Sequence, residues 1–197
     1  MTVNPFPAVR ALVESLRDDP FYRALCVGAS SDSERDQMLE RYFDYSMTEG
    51  ASLGRCLVRL GDMPAAAVWL LPASEQKLEE AKEAKDRFVR EALGPKGADN
   101  YRQMIEFMAP RSRSVVPASA WYLSIVGVSR AGQGKGVGAQ LLRETLAEAD
   151  QLNAPCYLET YTSHNLGFYR RLGFDAVASH VDPITRCEYF IMTRAST

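Results

Sequence analysis

Three features of the sequence are able to do chemistry together: a glycine-rich turn, a glutamate and a tyrosine. The turn is Ser129-Arg-Ala-Gly-Gln-Gly-Lys-Gly-Val-Gly-Ala139, with glycine at 132, 134, 136 and 138. A chain bears that entropic cost where its backbone must bend sharply or approach something closely. Before the turn, Trp121–Val128 is rich in aromatic and β-branched residues and predicts a strand. After it, Val137, Leu141, Leu142, Leu146 and Ala149 fall on one helical stripe. Strand, turn and helix start together aim free backbone N–H groups outward at the positive end of a helix dipole, which is an anion site. Glu159 ends the next apolar strand, and Tyr169 lies on a short helical segment beyond it. A carboxylate accepts a proton; a phenol, with a pKa of about 10, keeps one at neutral pH and can donate it.

Two familiar phosphate motifs compete for the turn. A P-loop needs G-x-x-x-x-G-K-[ST], and here Lys135 follows Gly134, but position 129 is serine and position 136 is glycine, so that motif fails. The dinucleotide fingerprint G-x-G-x-x-G/A is met literally by Gly134, Gly136 and Ala139, with Glu159 twenty residues further on, where a ribose-binding acid belongs. Against it, five residues (Ser129 to Gln133) separate the strand from Gly134, whereas a dinucleotide fold runs almost directly into its first glycine. The unit also begins past the middle of the chain, which leaves too little sequence for a doubly wound sheet. A nicotinamide-dependent oxidoreductase is therefore the weaker alternative.

The elements that must position these groups follow from periodicity. Residues 6–26 read as an amphipathic helix ended or bent at Asp18-Asp19-Pro20, and a second helix starts at Ser31-Asp-Ser33 and runs through Met47. Residues 54–60 and 65–71 form a hairpin, 74–93 a solvated helix rich in i,i+4 charge pairs, 97–108 another helix and 109–119 a loop. Beyond the glycine turn come a helix to about 151, strand 156–160, a short helix at 164–172 stopped by Gly173, and closing strands 174–181 and 187–193. The order predicts a mixed α/β domain on one sheet.

Bulk properties narrow the partners. The 197 residues are 46% hydrophobic and 24% charged with a net charge of −2, as expected for one soluble domain and not for a nucleic-acid binder. There is no leader-like segment and no apolar run of membrane-spanning length, so a cytoplasmic protein without a membrane partner is the simplest reading. Cys26, Cys56, Cys156 and Cys187 are isolated, and His164 and His180 lack ligand-like neighbours, so neither disulfides nor a metal site is expected.

A third reading of the turn takes Gln133-x-x-Gly136-x-Gly138 as the unit. It resembles the pyrophosphate loop of the GNAT superfamily of acetyl-CoA-dependent N-acetyltransferases, [Q/R]-x-x-G-x-[G/A] after a strand and opening a helix. Asn165-Leu-Gly-Phe-Tyr-Arg-Arg-Leu-Gly-Phe174 resembles that superfamily's second motif, in the right order and spacing. Together with Trp121-Tyr-Leu, Val126-Gly-Val-Ser and Leu158-Glu-Thr160, the blocks are similar to the puromycin N-acetyltransferase group within it. One departure is that the chain opens with a helix where the superfamily has a strand.

The resemblance implies a central, mostly antiparallel twisted sheet with splayed strands, flanked by helices. It implies one N-acetyltransferase domain over 1–197, with a helical extension at 1–30 and an acetyl-CoA-binding core at 121–174. The pantetheine arm would pair with Val126, Gly127 and Val128, the Val128 amide facing the thioester carbonyl, and Gly127 marking a bulge or close approach. Backbone amides of Gln133, Gly134, Lys135, Gly136, Val137, Gly138 and Ala139 would take the pyrophosphate, with Arg130, Lys135 and Arg171 adding positive charge. Asn165 would bond the pantetheine or cap its own helix, beside Phe168. Tyr169 would protonate the leaving thiolate, and Glu159, directly or through water, would take the proton of the amine. Neither motif holds a cysteine, so transfer would be direct, from acetyl-CoA to the primary amine of a small molecule, an amino-acyl amine of the puromycin kind among them. Tyr42, Phe43, Tyr45, Trp69, Tyr101, Phe107 and Trp121 are the aromatic residues available to line an acceptor pocket. A non-catalytic acyl-CoA sensor on the same fold is the other alternative, and Tyr169 speaks against it. The sequence leaves the oligomeric state open, a homodimer included.

Overall fold

Val9, Leu12 and Val13 turn one face of α1 (Phe6–Leu16) into the interior. In the computed structural model, which describes residues 6–196, the predicted 6–26 helix is two helices. Asp19 caps α2 (Pro20–Leu25) by accepting the Phe21 N–H at 2.9 Å, and Pro20 fits the first turn because its missing N–H would have no partner there. Ser31 caps α3 (Asp32–Leu53), which leads into the hairpin β1 (Gly54–Arg59) and β2 (Ala65–Leu70).

α4 (Glu75–Val115) is broken at Gly94, whose φ of 67° stops one helical segment before Pro95 opens the next. The second segment runs through 109–115, where the sequence predicts a loop. Pro110 leaves the Glu106 carbonyl without its helical partner, yet the helix continues through it, and Arg111, Ser112 and Arg113 add side-chain bonds to the next carbonyls, of Phe107, Met108 and Ala109, at 2.6, 3.3 and 3.1 Å. Then follow β3 (Trp121–Val128), a 3-10 turn at Arg130–Gly132, α5 (Val137–Gln151), β4 (Cys156–Thr160), a 3-10 turn at Ser163–Asn165, α6 (Leu166–Arg170), β5 (Asp175–Val181) and β6 (Glu188–Arg194).

The six strands form one sheet in the order β1-β2-β3-β4-β6-β5, antiparallel throughout except for β3 beside β4. This is the mixed, mostly antiparallel architecture that the sequence predicts. α5 and α6 cover one face over Trp69, Leu123, Leu158 and Phe174. α1 to α4 cover the other in two clusters, one around Leu12, Phe43 and Val68, the other around Met104, Tyr189 and Ile191. The amino-terminal helices are part of this layer. At Gly127 a Cβ would lie 2.8 Å from Leu12 Cδ2, so α1 rests directly on β3. Among the described residues no strand precedes α1, and residues 1–5 lie outside them.

Candidate active site

β3 and β4 share only the pairs Trp121↔Cys156, Tyr122↔Tyr157 and Leu123↔Leu158. Beyond Leu123 the two part: β4 continues along β6, while β3 continues along β2 from Ile125 to Val128. The parting coincides with a bulge. Trp69 pairs with Leu123 and Val68 with Ile125, so Ser124 has no partner in β2. An extra residue of this kind bends its strand. The bulge is thus at Ser124, while Gly127 serves the close approach to α1. A wedge opens through the sheet, lined on one side by main chain from Ser124 to Val128.

The glycine turn sits at the open end of β3. Gly134 and Gly136 have φ of 71° and 77°, a backbone conformation that costs other residues about 1–2 kcal/mol. A Cβ at either would meet nothing within 4 Å, so the space over the turn is open. Of the amides named from the sequence, two are engaged: Gln133 N–H donates to Ser129 O at 3.2 Å and Lys135 N–H to Gly132 O at 3.3 Å. The first backbone bond of α5 is Gln140 N–H to Gly136 O at 3.0 Å, so Val137, Gly138 and Ala139 keep the acceptor-free amides of a helix start. The Gln133 side chain braces the loop by donating to Val128 O at 3.0 Å. Arg130, Lys135 and Arg171 are exposed and form no ion pair among the described residues. A pyrophosphate fits this cradle: open space, unengaged amides, a helix start and nearby cations.

α6 docks beside the cradle. Phe168 packs over Gly138, where a Cβ would stand 3.3 Å from its ring. Gly173, at φ 88°, ends the helix: Phe174 N–H reaches Tyr169 O at 3.1 Å and Gly173 N–H reaches Arg170 O at 3.0 Å, a Schellman pair. That closure fixes Tyr169, which is 8% exposed and edge-on to Phe168 and Phe174. Burial, and then the carboxylate of Asp19, hold its phenol well above the ordinary tyrosine value, so it stays protonated. The Asn165 side chain makes no cap bond.

Glu159 projects from the opposite face of β4. Ser112 Oγ donates to its Oε1 at 2.6 Å and the Tyr122 hydroxyl to its Oε2 at 3.3 Å, while Tyr122 stacks on Tyr157 at 4.5 Å. Burial pushes its carboxyl above the ordinary glutamate range, and the two hydroxyls pull it part of the way back. Glu159 and Tyr169 therefore flank the wedge from its two sides rather than sharing a face.

Sequence reasoning missed Ser112, Tyr122 and Asp19. Asp19 Oδ2 accepts the Thr162 hydroxyl at 3.2 Å, which ties the head of α2 to the end of β4. No sequence pattern joins residues 143 positions apart. Of the aromatic residues proposed for an acceptor pocket, Trp69 and Trp121 belong to the core under α5, and Tyr42 and Phe43 to the core under α3. Tyr45 stacks on Phe88 at 4.0 Å, and Tyr101 lies edge-on to Phe21, which bridges to the cluster beside Glu159. Phe107 belongs to that cluster directly.

A sheet split between β3 and β4, with an open glycine turn at the end of the parted strand, a buried phenol on one face and a buried carboxylate on the other, is an arrangement that can serve acyl transfer. Residues 100–176 match the family model described as Acetyltransferase (GNAT) domain. The chain is 26% identical to an uncharacterized N-acetyltransferase of Schizosaccharomyces pombe, across 85% of this chain and 69% of that protein. A structure from Corynebacterium glutamicum, described as histone acetyltransferase HPA2 and related acetyltransferase, superposes with a TM-score of 0.67 at 21% identity, covering 100% of this chain and 94% of that one. Arylalkylamine N-acetyltransferase 2 from Aedes aegypti gives a TM-score of 0.61 at 13% identity, covering 96% and 94%. The chain is an acyltransferase, and its residues 100–176 match a GNAT acetyltransferase domain. The finer likeness to the puromycin group finds no support in these matches. Among the described residues no cluster of metal-ligating side chains occurs, and no helix is long and apolar enough to cross a membrane.

Proposed function

We propose that the protein transfers an acetyl group directly from acetyl-CoA to the amine of a small molecule. The observation that carries this reading is the parting of β3 from β4 at a bulge, with the glycine cradle at the far end of the parted strand. The amides of Gly134 and of Gly136 to Ala139 hold the pyrophosphate, and Arg130, Lys135 and Arg171 supply local charge. Main chain at Val126, Gly127 and Val128 pairs with the pantetheine arm as an added strand would, and Asn165, free of a capping role, is placed to bond it beside Phe168. Val128 lies five residues beyond Leu123, about 16 Å along the strand at about 3.3 Å per residue. The oxyanion donor is a main-chain amide of this parted stretch of β3.

Glu159, held by Ser112 and Tyr122, takes the proton of the attacking amine on the α4 side. The amine nitrogen bonds to the thioester carbon, the carbon–sulfur bond breaks, and Tyr169 gives its proton to the leaving sulfur on the α6 side. Products are the N-acetyl amine and free coenzyme A.

The test is melting with acetyl-CoA against NADH, followed by thiol release over a panel of amines. Acetyl-CoA is expected to raise the melting temperature and NADH to leave it unchanged, with thiol released on some amines. Stabilisation by acetyl-CoA without thiol release on any amine would overturn the small-molecule acceptor.

A further inference from the structure

A cavity of about 430 Å³ opens between α1, α3 and the 3-10 turn that follows β3, away from the start of α5. That volume suits a small molecule. α1 turns Arg10, Val13, Glu14 and Arg17 toward it, one stripe of the helix, and α3 adds Asp36 and Glu40, one turn apart. Arg130 and Ala131 are the contribution of the turn. Three guanidiniums and three carboxylates thus line the cavity, and its walls carry no net charge.

Only part of that charge is used within the protein. Arg17 pairs with Asp36 at 3.4 Å and Asp32 at 3.6 Å, so the end of α1 meets the start of α3. One turn back along α1 and one turn on along α3, Glu14 and Glu40 stand on the two walls. Glu14 Oε2 accepts the main-chain N–H of Arg130 at 3.2 Å, which brings the turn to the same level. Arg10 follows one turn further. The Arg10 and Arg130 guanidiniums and the Glu40 carboxylate form no ion pair among the described residues, and Arg10 does not meet Glu14 although their i,i+4 spacing would permit it. Arg10 and Arg130 are exposed and Glu40 is half-buried, so a solute can reach all three. An ion of one sign would gain from one part of such a wall and be repelled by another. A dipolar ion gains from both.

We propose that this cavity binds a neutral α-amino acid, with its ammonium between Glu14 and Glu40 and its carboxylate on Arg10 and Arg130, and that the bound amino acid weakens the grip on acetyl-CoA. The side chain of the ligand lies toward Val13 and Ala131, and a charged one would add an ion that the balanced lining does not compensate. The antagonism follows from Arg130, which lines this cavity and also supplies charge to the glycine cradle. One guanidinium does not serve a carboxylate and a phosphate at full strength together. The coupling rests on the proposed acetyl-CoA cradle; the amino-acid site stands apart from it.

The experiment titrates L-leucine into the protein by calorimetry, first alone and then with acetyl-CoA present. Two analogues each lack one pole: 4-methylpentanoate has no ammonium and 3-methylbutylamine no carboxylate. Leucine is expected to bind at least about tenfold more tightly than either, the scale of one charged hydrogen bond. Arg10→Gln and Glu40→Gln should each weaken leucine by about tenfold and leave acetyl-CoA affinity within about twofold. Saturating leucine should raise the Kd of acetyl-CoA by about three- to tenfold, acetyl-CoA should raise that of leucine by the same factor, and Arg130→Gln should abolish the coupling. No leucine binding, equal binding of a one-pole analogue, or leucine binding untouched by both substitutions overturns the site. Leucine binding with no change in acetyl-CoA affinity overturns the antagonism. If leucine binds as described and acetyl-CoA does not bind at all, the acetyl-transfer reading fails and the amino-acid site remains.

Discussion

Burial shifts the Tyr169 phenol and the Glu159 carboxyl in the same direction, upward, and each makes a separable kinetic prediction. Tyr169→Phe removes the proton for the leaving sulfur but leaves the ring packed against Phe168 and Phe174. Turnover is expected to fall by about 10²-fold with acetyl-CoA affinity retained, as measured by initial rates and calorimetry. Glu159 titrates above the ordinary glutamate range, so the acid limb of kcat/KM should lie at higher pH than a free glutamate would give, and Glu159→Gln should abolish that limb. The stability effect has a definite sign. A raised folded-state pKa means that the folded protein binds this proton more tightly than the unfolded chain does. The benefit is complete below the ordinary glutamate pKa and is lost as pH rises through the raised value. Glu159→Gln should therefore flatten the dependence of melting temperature on pH in that window. A pH–rate profile unchanged by the substitution would remove Glu159 from the role of base.

The elements show which signals were local and which were not. Gly136→Val places a β-branched residue at φ 77° and is expected to cost about 1–2 kcal/mol and to weaken acetyl-CoA binding, whereas Gly28→Ala, with open space around it, should stay within about 0.5 kcal/mol. Gly97→Ala drives a Cβ into the Leu25 carbonyl oxygen, where α4 meets α2, and is expected to cost about 1–3 kcal/mol by urea unfolding. The glycine turn and the stop at Gly173 were legible in the sequence because each is a demand of the backbone on its own residue. The hairpin turn and the break at Asp18-Asp19-Pro20 were legible for the same reason. The helix over 109–115 was not, because Pro110 speaks against it locally and the side-chain bonds of Arg111, Ser112 and Arg113 along that turn, with the Ser112 bond to Glu159, exist only once the fold has formed. The bulge at Ser124 was hidden because it is a property of the pairing with β2. Ser112, Asp19 and Tyr122 acquire their surroundings only when distant strands and helices meet, so their types and positions carried no signal.

At the scale of the whole molecule, the two faces of the sheet are tied by a few cross-links between chain segments far apart. Arg194, at the end of β6, grips Asp150 with two bonds of 2.6 Å and also donates to Leu172 O at 3.0 Å, joining β6 to the ends of α5 and α6. Arg194→Ala should cost about 2–4 kcal/mol in urea unfolding, somewhat less than for a fully buried pair because Asp150 is 24% exposed. The wedge is the opposite case: a stretch of sheet from Ser124 to Val128 that β4 does not complete. A donor that lines this gap binds the folded chain alone, and its contribution to stability grows with its concentration, reaching about 2.7 kcal/mol at a hundredfold excess over its dissociation constant. Amides along the wedge should then exchange with solvent quickly in the free protein and slowly once acetyl-CoA is added. Resistance to proteolysis would follow the same curve. On the proposed reading, in which acetyl-CoA finishes the sheet, the lifetime of the folded protein would be set in part by the supply of that metabolite.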